Sequence, residues 1–262
     1  MRGRTYKLRA GLGLVCLALA LLHLALQSVP SAQALGADDT VEVRRVHVGE
    51  LGDEPHPKAA ERLAWEVRKR TSIDTTLSPG VTRFDDPSIF RTPLLYWSSD
   101  RAFPALSEKE LSGLRRFVEY GGLIIIDDAA PEAGGFDASV RRALARAFPG
   151  ERLSRLSNEH TLFRSFYLLD HPVGRVNDPD YVEAIMFGGR AAVVYSRLDL
   201  GGAWAASDER SAALYNQPLG GAVQREAAVR FGVNLVMYAL CLDYKDDQVH
   251  APFILRRRAG RP

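Results

Sequence analysis

The feature that most constrains the fold is the apolar run Leu123–Ile126, which is closed by Asp127 and Asp128. It directly follows a helical pattern that ends at Gly121-Gly122. A short apolar run rich in β-branched residues and bounded by polar ones is typical of a strand that is buried on both faces. Helices must then cover both faces of the sheet, so the run predicts a central parallel strand in an α/β protein.

Strand and helix patterns alternate through the first half of the chain. Glu42–Val48 alternates like a strand, Lys58–Arg70 has helical spacing, and Thr92–Ser98 predicts another buried strand. Ser107 and Glu110 form a capping-box pattern ahead of the helix that leads to Leu123. The further predicted elements are a strand at Ile73–Leu77, a helix at Phe136–Phe148 capped by Asp137 or Ser139, and a strand at Leu153–Leu156. This alternation predicts a doubly wound, mostly parallel sheet.

The second half is less regular and predicts additions to that sheet. Gly188-Gly189 separates two strand-like segments and is typical of a two-residue hairpin turn. The predicted segments are a short helix with a packed loop at Asn158–His171, hairpin strands at Tyr181–Phe187 and Arg190–Ser196, a Gly-rich loop at Ser196–Trp204, and a helix at Val223–Leu242. Since no stretch resembles a linker, we expect a single domain over residues 40–242.

The N-terminus has the order of a secretory signal peptide over residues 1–34. Basic residues precede the apolar run Ala10–Leu26, and the small-residue triplet Ala32-Gln33-Ala34 follows. We therefore expect export to the periplasm or cell envelope and no transmembrane segment after cleavage. The alternative is an uncleaved leader that anchors the domain in the inner membrane, for which the run is slightly short. Residues 243–262 are expected to form a charged, flexible tail.

Charge and cysteine content exclude two further classes. The whole chain carries a net charge of +2, and loss of the four basic leader residues changes it to −2. Such a body has no general electrostatic attraction for nucleic acid, so we expect no nucleic-acid partner. Cys241 alone remains after cleavage, which excludes an internal disulfide, and its apolar helical surroundings predict a buried, unreactive thiol.

Four motifs carry a resemblance to a known family. They are the segment 117–128, Asp170-His171-Pro172, Asp199-Leu200-Gly201 and Gly232-Val233-Asn234. In this order they resemble the bacterial proteins grouped as domain of unknown function 4159, over Val43–Leu242. That family in turn resembles the class I glutamine amidotransferase-like fold, including its ThuA-like branch, and so implies a flavodoxin-like sheet with an added β-hairpin and a C-terminal helix.

The same resemblance bears on activity. In the amidotransferases, the turn after the corresponding strand carries a cysteine nucleophile. Here Asp127-Asp128-Ala129 occupies that place, and thiol chemistry requires a readily ionised sulfur. The resemblance therefore implies a fold without glutaminase activity.

Asp127 and Asp128 are the first candidate functional residues because they end a predicted central strand, where open α/β sheets bind ligands. Adjacent strand residues point to opposite faces, so at most one of them faces a crevice. Three roles stay open: hydrogen bonds to caps and loops, ligand or metal binding, and acid–base catalysis. Asp127, Asp128 and His171 are the candidate catalytic residues.

Metal and ligand sites are weaker expectations. Asp128, His160 and His171 offer oxygen and nitrogen ligands for zinc or manganese, but their spacing matches no standard metal motif. We therefore expect no cofactor and keep a divalent metal as the alternative. The candidate ligand-binding residues are Tyr96, Trp97, Asp128, Asp199 and Trp204. Their aromatic rings at strand ends or beside glycines suit either stacking on a sugar or filling the core.

These observations favour a binding or accessory module of the cell envelope, acting on an envelope protein or glycan. The alternative is a periplasmic hydrolase, metal-dependent or using carboxylates and histidine, that cleaves an envelope glycan or peptide. A serine hydrolase is disfavoured, because the sequence contains no Gly-x-Ser-x-Gly motif. A retained leader would instead place the domain in a membrane complex.

Overall fold

The computed structural model describes residues 40–49, 54–176, 178–205 and 220–259, with the backbone alone over residues 242–259. The predicted leader, residues 1–34, lies outside the described residues. The strands are β1 (Arg44–Val46), β2 (Val81–Thr82), β3 (Leu94–Ser99), β4 (Leu123–Asp128), β5 (Ser154–Arg155), β6 (Glu183–Phe187) and β7 (Arg190–Ser196). The α-helices are α1 (Ala59–Arg70), α2 (Glu108–Glu119), α3 (Gly135–Ala147), α4 (Leu200–Ala205) and α5 (Gly221–Ala259). Two short 3-10 helices span Pro87–Arg91 and Thr161–Arg164.

All seven described strands form one sheet in the order β2-β1-β3-β4-β7-β6-β5. The first five strands of that order run parallel, whereas β6 pairs antiparallel with β7, and β5 pairs antiparallel with β6. The predicted mostly parallel α/β sheet is therefore confirmed, and its order is flavodoxin-like. The winding direction reverses at β1, because β2 lies on one side of that strand and β3 on the other.

The sheet is covered on both faces, as the run Leu123–Ile126 predicted. All six residues of β4 are buried. One face packs against α1, α4 and α5, and the opposite face packs against α2 and α3. We call these the α5 face and the α3 face. Because β4 is buried on both sides, its alternating side chains belong to two separate cores.

Several local predictions are confirmed. Ser107 and Glu110 form the capping box that begins α2. The hairpin turns at Gly188 and Gly189, whose φ angles of 59° and 80° suit the type I′ turn that matches strand twist. Gly122 lies so close to the ring of Phe117 that a Cβ at this position would overlap the ring.

Two local predictions are wrong. The edge strand β2 lies at Val81–Thr82, and Ile73–Leu77 contributes only an isolated bridge between Thr75 and Val41. Helix α3 begins after Gly134, whose positive φ of 69° ends the preceding turn, so neither predicted residue is its cap. The predicted caps lie inside the helix, where Asp137 pairs with Arg141.

The C-terminal third also differs from expectation. The predicted Gly-rich loop contains helix α4, because Asp199 begins that helix with bonds to its backbone. Helix α5 continues past Leu242 to Ala259, through most of the predicted tail. Cys241 is exposed on this helix rather than buried. Among the described helices, none is both long enough and apolar enough to span a bilayer.

Candidate functional site

The two carboxylates at the end of β4 point to opposite faces of the sheet, as the strand geometry predicted. Both side chains are completely buried. In the strand register Asp127 lies between Ser98 of β3 and Ser196 of β7, which share its orientation toward the α5 face. Asp128 points to the α3 face. The two carboxylates therefore belong to different environments and do not act as a pair.

Asp127 is fully engaged with the backbone and one hydroxyl. Its Oδ1 accepts a hydrogen bond from the Leu200 N–H at 2.9 Å. Its Oδ2 accepts from the Gly201 N–H at 2.7 Å and from the Tyr96 hydroxyl at 2.9 Å. These contacts tie the first turn of α4 to the ends of β3 and β4. A carboxylate suits this place because the first N–H groups of a helix have no partner within the helix.

Burial raises the pKa of Asp127 to about 7, and the neighbouring charge of Asp199 adds to the rise. The backbone N–H groups of Gly201 and Leu200 and the Tyr96 hydroxyl favour the charged form and limit the effect. Burial, together with the charge of Asp127, also raises the pKa of Tyr96 well above its usual range. Asp127 is thus a buried carboxyl group that gains or loses its proton near neutral pH.

Asp199 forms the second half of the arrangement. Its backbone has a positive φ of 50°, which is uncommon outside glycine, and its Oδ1 accepts from the Gly202 N–H at 3.0 Å. His56 Nε2 lies 2.8 Å from Asp199 Oδ1, and Arg175 Nε donates to Asp199 Oδ2. Two basic side chains therefore surround a completely buried acid, as a buried charge requires.

We call His56, Tyr96, Asp127, Arg175 and Asp199 the Asp127–Asp199 cluster. Its groups converge on Gly201. A Cβ at this position would overlap the Tyr96 hydroxyl, and it would lie 3.2 Å from His56 Cδ2 and 3.3 Å from Asp127 Oδ2. The missing side chain of Gly201 is what allows α4 to approach these groups so closely.

Among the residues that the structure describes, the two basic side chains are the exposed part of the cluster. The side chains of His56 and Arg175 are 10% and 29% exposed, whereas the side chain of Asp199 is 0% exposed. The loop that carries Arg175 is held from α5, where Gln224 Nε2 donates to the carbonyl groups of Gly174 and Arg175 at 2.9 and 2.8 Å. The acids are thus closed off from the surface by ordered elements.

On the α3 face, Asp128 also bonds to protein groups. Its Oδ1 accepts from the Ala130 N–H at 3.0 Å, and its Oδ2 lies 3.4 Å from the Tyr195 hydroxyl. That hydroxyl donates more closely to Asp137, at 3.0 Å. Burial raises the pKa of Asp128. The structure thus gives Asp128 the role of holding the turn after β4.

The aromatic candidates lie in the core. Tyr96, Trp97 and Trp204 are each at most 1% exposed. The indole N–H of Trp204 donates to the Ala228 carbonyl at 2.9 Å, and its ring packs 5.5 Å from that of Tyr96. The ring of Trp97 packs in the other core against Phe103, at 4.9 Å. The structure thus gives these rings packing roles, and a ligand contact by any of them stays a prediction.

The two predicted histidines lie apart from the cluster. His160 begins the second 3-10 helix, where its Nδ1 accepts from the Leu162 N–H at 3.2 Å, and its ring packs 5.4 Å from Tyr238. Burial lowers the pKa of His160. His171 is exposed in the loop before Pro172. The described residues contain no group of three His, Cys, Asp or Glu side chains that is arranged to hold a metal ion. The structure therefore does not bring Asp128, His160 and His171 together.

Sequence reasoning missed His56 and Arg175. His56 lies between two prolines just before α1, and Arg175 lies in an irregular loop, so neither belongs to a periodic pattern. The pairing of both with Asp199 joins three segments that are distant in sequence. The sequence signalled this region through Asp127, Tyr96 and the Asp199-Leu200-Gly201 motif.

A cleft of about 260 Å³ opens at the carboxyl ends of β1 and β3. This is the point where the winding direction of the sheet reverses, and open α/β sheets bind their ligands at such points. Its lining includes His47, Ser99 and Arg101 together with the apolar residues Trp97 and Phe103. Sequence reasoning placed Trp97 near this edge but did not predict the cleft.

The sheet order, the helices on both faces and the cleft at the reversal point define an α/β domain with flavodoxin-like topology. A family model described as "Domain of unknown function (DUF4159)" matches residues 43–240. The chain therefore belongs to this family, which confirms the resemblance seen in its motifs. No protein with a curated description matches the sequence.

Proposed function

We propose that this protein is a binding or accessory module of the cell envelope, and that it performs no catalysis at the end of β4. The proposal rests on the hydrogen bonds and ion pairs of the Asp127–Asp199 cluster. Asp127 accepts three hydrogen bonds from the protein, and Asp199 is bonded to His56, Arg175 and the backbone of α4. Contacts of this kind indicate a structural role, in which the two carboxyl groups hold the neighbouring elements in place.

A catalytic carboxylate must reach its substrate within hydrogen-bonding distance. Asp127, Asp128 and Asp199 are each 0% exposed. The turn after β4 carries Asp127-Asp128-Ala129, which offers no thiol nucleophile. Both facts support a fold that keeps its ligand-binding edge and carries out no acyl transfer there.

The envelope location rests on the order of charged, apolar and small residues in segment 1–34. Cleavage would release the domain to the periplasm, and retention would anchor it to the inner membrane. N-terminal sequencing of the protein recovered from the envelope fraction distinguishes the two. A mature chain that starts at Leu35 supports release, whereas a chain that starts at Met1 supports anchoring.

The absence of catalysis is tested by a search for turnover of envelope glycans and peptides. The purified protein is incubated with solubilised envelope glycan fragments and envelope peptides, and products are followed by mass spectrometry. His56→Ala and Asp127→Asn serve as cluster variants, and Asp170→Asn serves as a control at an exposed carboxylate. We expect no product above the level of the buffer. Turnover that the two cluster variants lose and the control keeps would overturn the proposal.

One observation favours a second candidate, a hydrolase of the carboxylate and histidine type. His56 is oriented by Asp199 at 2.8 Å, and a carboxyl group with a pKa of about 7 lies beside them, as in acid–base sites. In this candidate His56, the more exposed partner, would act as the base. The alternative also predicts that activity disappears in His56→Ala and survives in His171→Ala, since His171 lies outside the cluster.

A further inference from the structure

The cleft between the ends of β1 and β3 is separate from the Asp127–Asp199 cluster. Among the residues that the structure describes, no member of the Asp127–Asp199 cluster lines the cleft. Its volume of about 260 Å³ equals roughly nine water volumes. The cleft therefore has room for a molecule the size of a small organic acid or a single sugar.

Two strand ends deliver polar side chains to this cleft. His47 follows β1 directly, and Arg101 follows β3 in a tight turn. The turn is held by Ser99, whose Oγ accepts from the Arg101 N–H at 3.3 Å. The Ser99 carbonyl also accepts from the Ala129 N–H at 3.0 Å, which fixes the turn to the end of β4. The backbone that carries Arg101 is thus fixed on the rigid sheet.

Asp100 is an exchangeable partner of the Arg101 guanidinium. The Arg101 side chain is 58% exposed and donates to Asp100 at 2.8 Å, within an exposed pair between neighbouring residues. Exposed ion pairs of this kind contribute little to stability. An incoming anion therefore competes with Asp100 at small cost, whereas it gains a bidentate donor.

The remaining walls are apolar. Val46, Val48, Trp97, Phe103 and Pro104 line the cleft beside the polar groups. A ligand with an anionic group at the Arg101 end and an apolar body against these side chains would complement both parts, because apolar walls with a few placed polar groups are the usual form of small-molecule sites.

Resting on the proposed binding function, we infer that this cleft binds a small organic anion, with its carboxylate or phosphate group on Arg101 and His47 and its apolar part against Trp97 and Phe103. The site lies at the winding reversal and not at the turn after β4. Ligand binding here requires no change in the Asp127–Asp199 cluster.

The experiment compares two probes of nearly equal size, benzoate and benzamide, which differ in charge. Each is titrated into the full chain by calorimetry. We expect benzoate to bind about tenfold more tightly than benzamide, since a charge-assisted hydrogen bond is stronger than a neutral one. Inorganic phosphate serves as a third probe, and its weaker binding than that of benzoate reports the contribution of the apolar walls.

Arg101→Gln should remove the preference for benzoate. Arg91→Gln is the matched control, because Arg91 is exposed before β3, at the opposite end of that strand. His47→Gln is a second variant that should weaken benzoate binding on its own. Equal affinities for benzoate and benzamide, or an equal effect of Arg101→Gln and Arg91→Gln, would overturn the inference. These outcomes are independent of the turnover test, so failure of the anion site and failure of the module are told apart.

Discussion

The buried carboxyl group of Asp127 should make the stability of this protein depend on pH in an unusual direction. Its pKa rises from an ordinary 3.8 to about 7 on folding. Between these values the unfolded chain ionises while the folded protein keeps its proton. The folded state then binds more protons, so the free energy of unfolding falls as pH rises. The contribution is fully present below about pH 4 and is lost above about pH 7.

The magnitude follows from the same values. One pKa unit corresponds to about 1.4 kcal/mol, so this group alone lowers the free energy of unfolding by about 4 kcal/mol between about pH 4 and pH 8. Asp127→Asn cannot ionise and loses this dependence. Its amide cannot accept from both backbone donors, and leaving the Gly201 N–H unpaired costs about 1–3 kcal/mol at every pH.

We therefore expect the variant to be less stable than the wild type near pH 4.5 and to equal or exceed it near pH 8. The assay is urea unfolding followed by tryptophan fluorescence, to which the buried Trp97 and Trp204 contribute. Using the difference between variant and wild type cancels the titration of the shared groups that do not interact with residue 127; Asp199, which does interact with it, contributes to the difference. Asp170→Asn, at an exposed carboxylate, controls for the loss of a charge. A difference that stays constant across this pH range would refute the reasoning.

Three further substitutions test individual contacts of the fold by the same unfolding assay. Gly201→Ala should lower the free energy of unfolding by about 1–3 kcal/mol, because its Cβ would overlap the Tyr96 hydroxyl. Gly150→Ala is the control and should be neutral or slightly stabilising, because the space around Gly150 is open. Equal effects of the two substitutions would contradict the close approach of α4 to Tyr96. Asn234→Ala should lower the free energy of unfolding by about 2–3 kcal/mol, because the buried amide of Asn234 bonds both the N–H and the carbonyl of Tyr167, at 2.7 and 2.9 Å. A decrease below about 0.5 kcal/mol would show that this loop of the α5 face is held by other contacts. Ser107→Ala should cost about 1 kcal/mol through loss of the capping box, and retention of full stability would argue against that box.

Two of the four motifs that carried the family resemblance have structural explanations on the α5 face. Gly232 lies where a Cβ would contact the Leu63 and Trp204 side chains at 2.7 and 2.9 Å, so α5 packs directly on α1 and α4 at this point. Asn234 bonds the loop backbone at Tyr167. The Asp199-Leu200-Gly201 motif forms the start of α4 and its link to Asp127. These motifs therefore record how the α5 face is assembled.

The sequence by itself determined the central strand, the two-sided cover of the sheet and the hairpin. Each of these follows from a local signal: the apolar run at Leu123–Ile126 requires burial on both faces, the capping box starts α2, and Gly188-Gly189 allows the positive φ angles of a tight turn. The spacing of apolar residues and the residue types of turns depend only on residues close together in the sequence, so the sequence alone reveals them.

Only the tertiary structure decided the environment of the polar residues. Asp127 and Asp128 are equivalent neighbours in sequence, yet one meets Tyr96 and the backbone of α4 while the other meets the turn at Ala130. His56 and Arg175 join Asp199 from segments 143 and 24 residues away, a pairing that no local pattern encodes. The proton affinity of a carboxyl group depends on burial and on charges across space, and the fold alone fixes both.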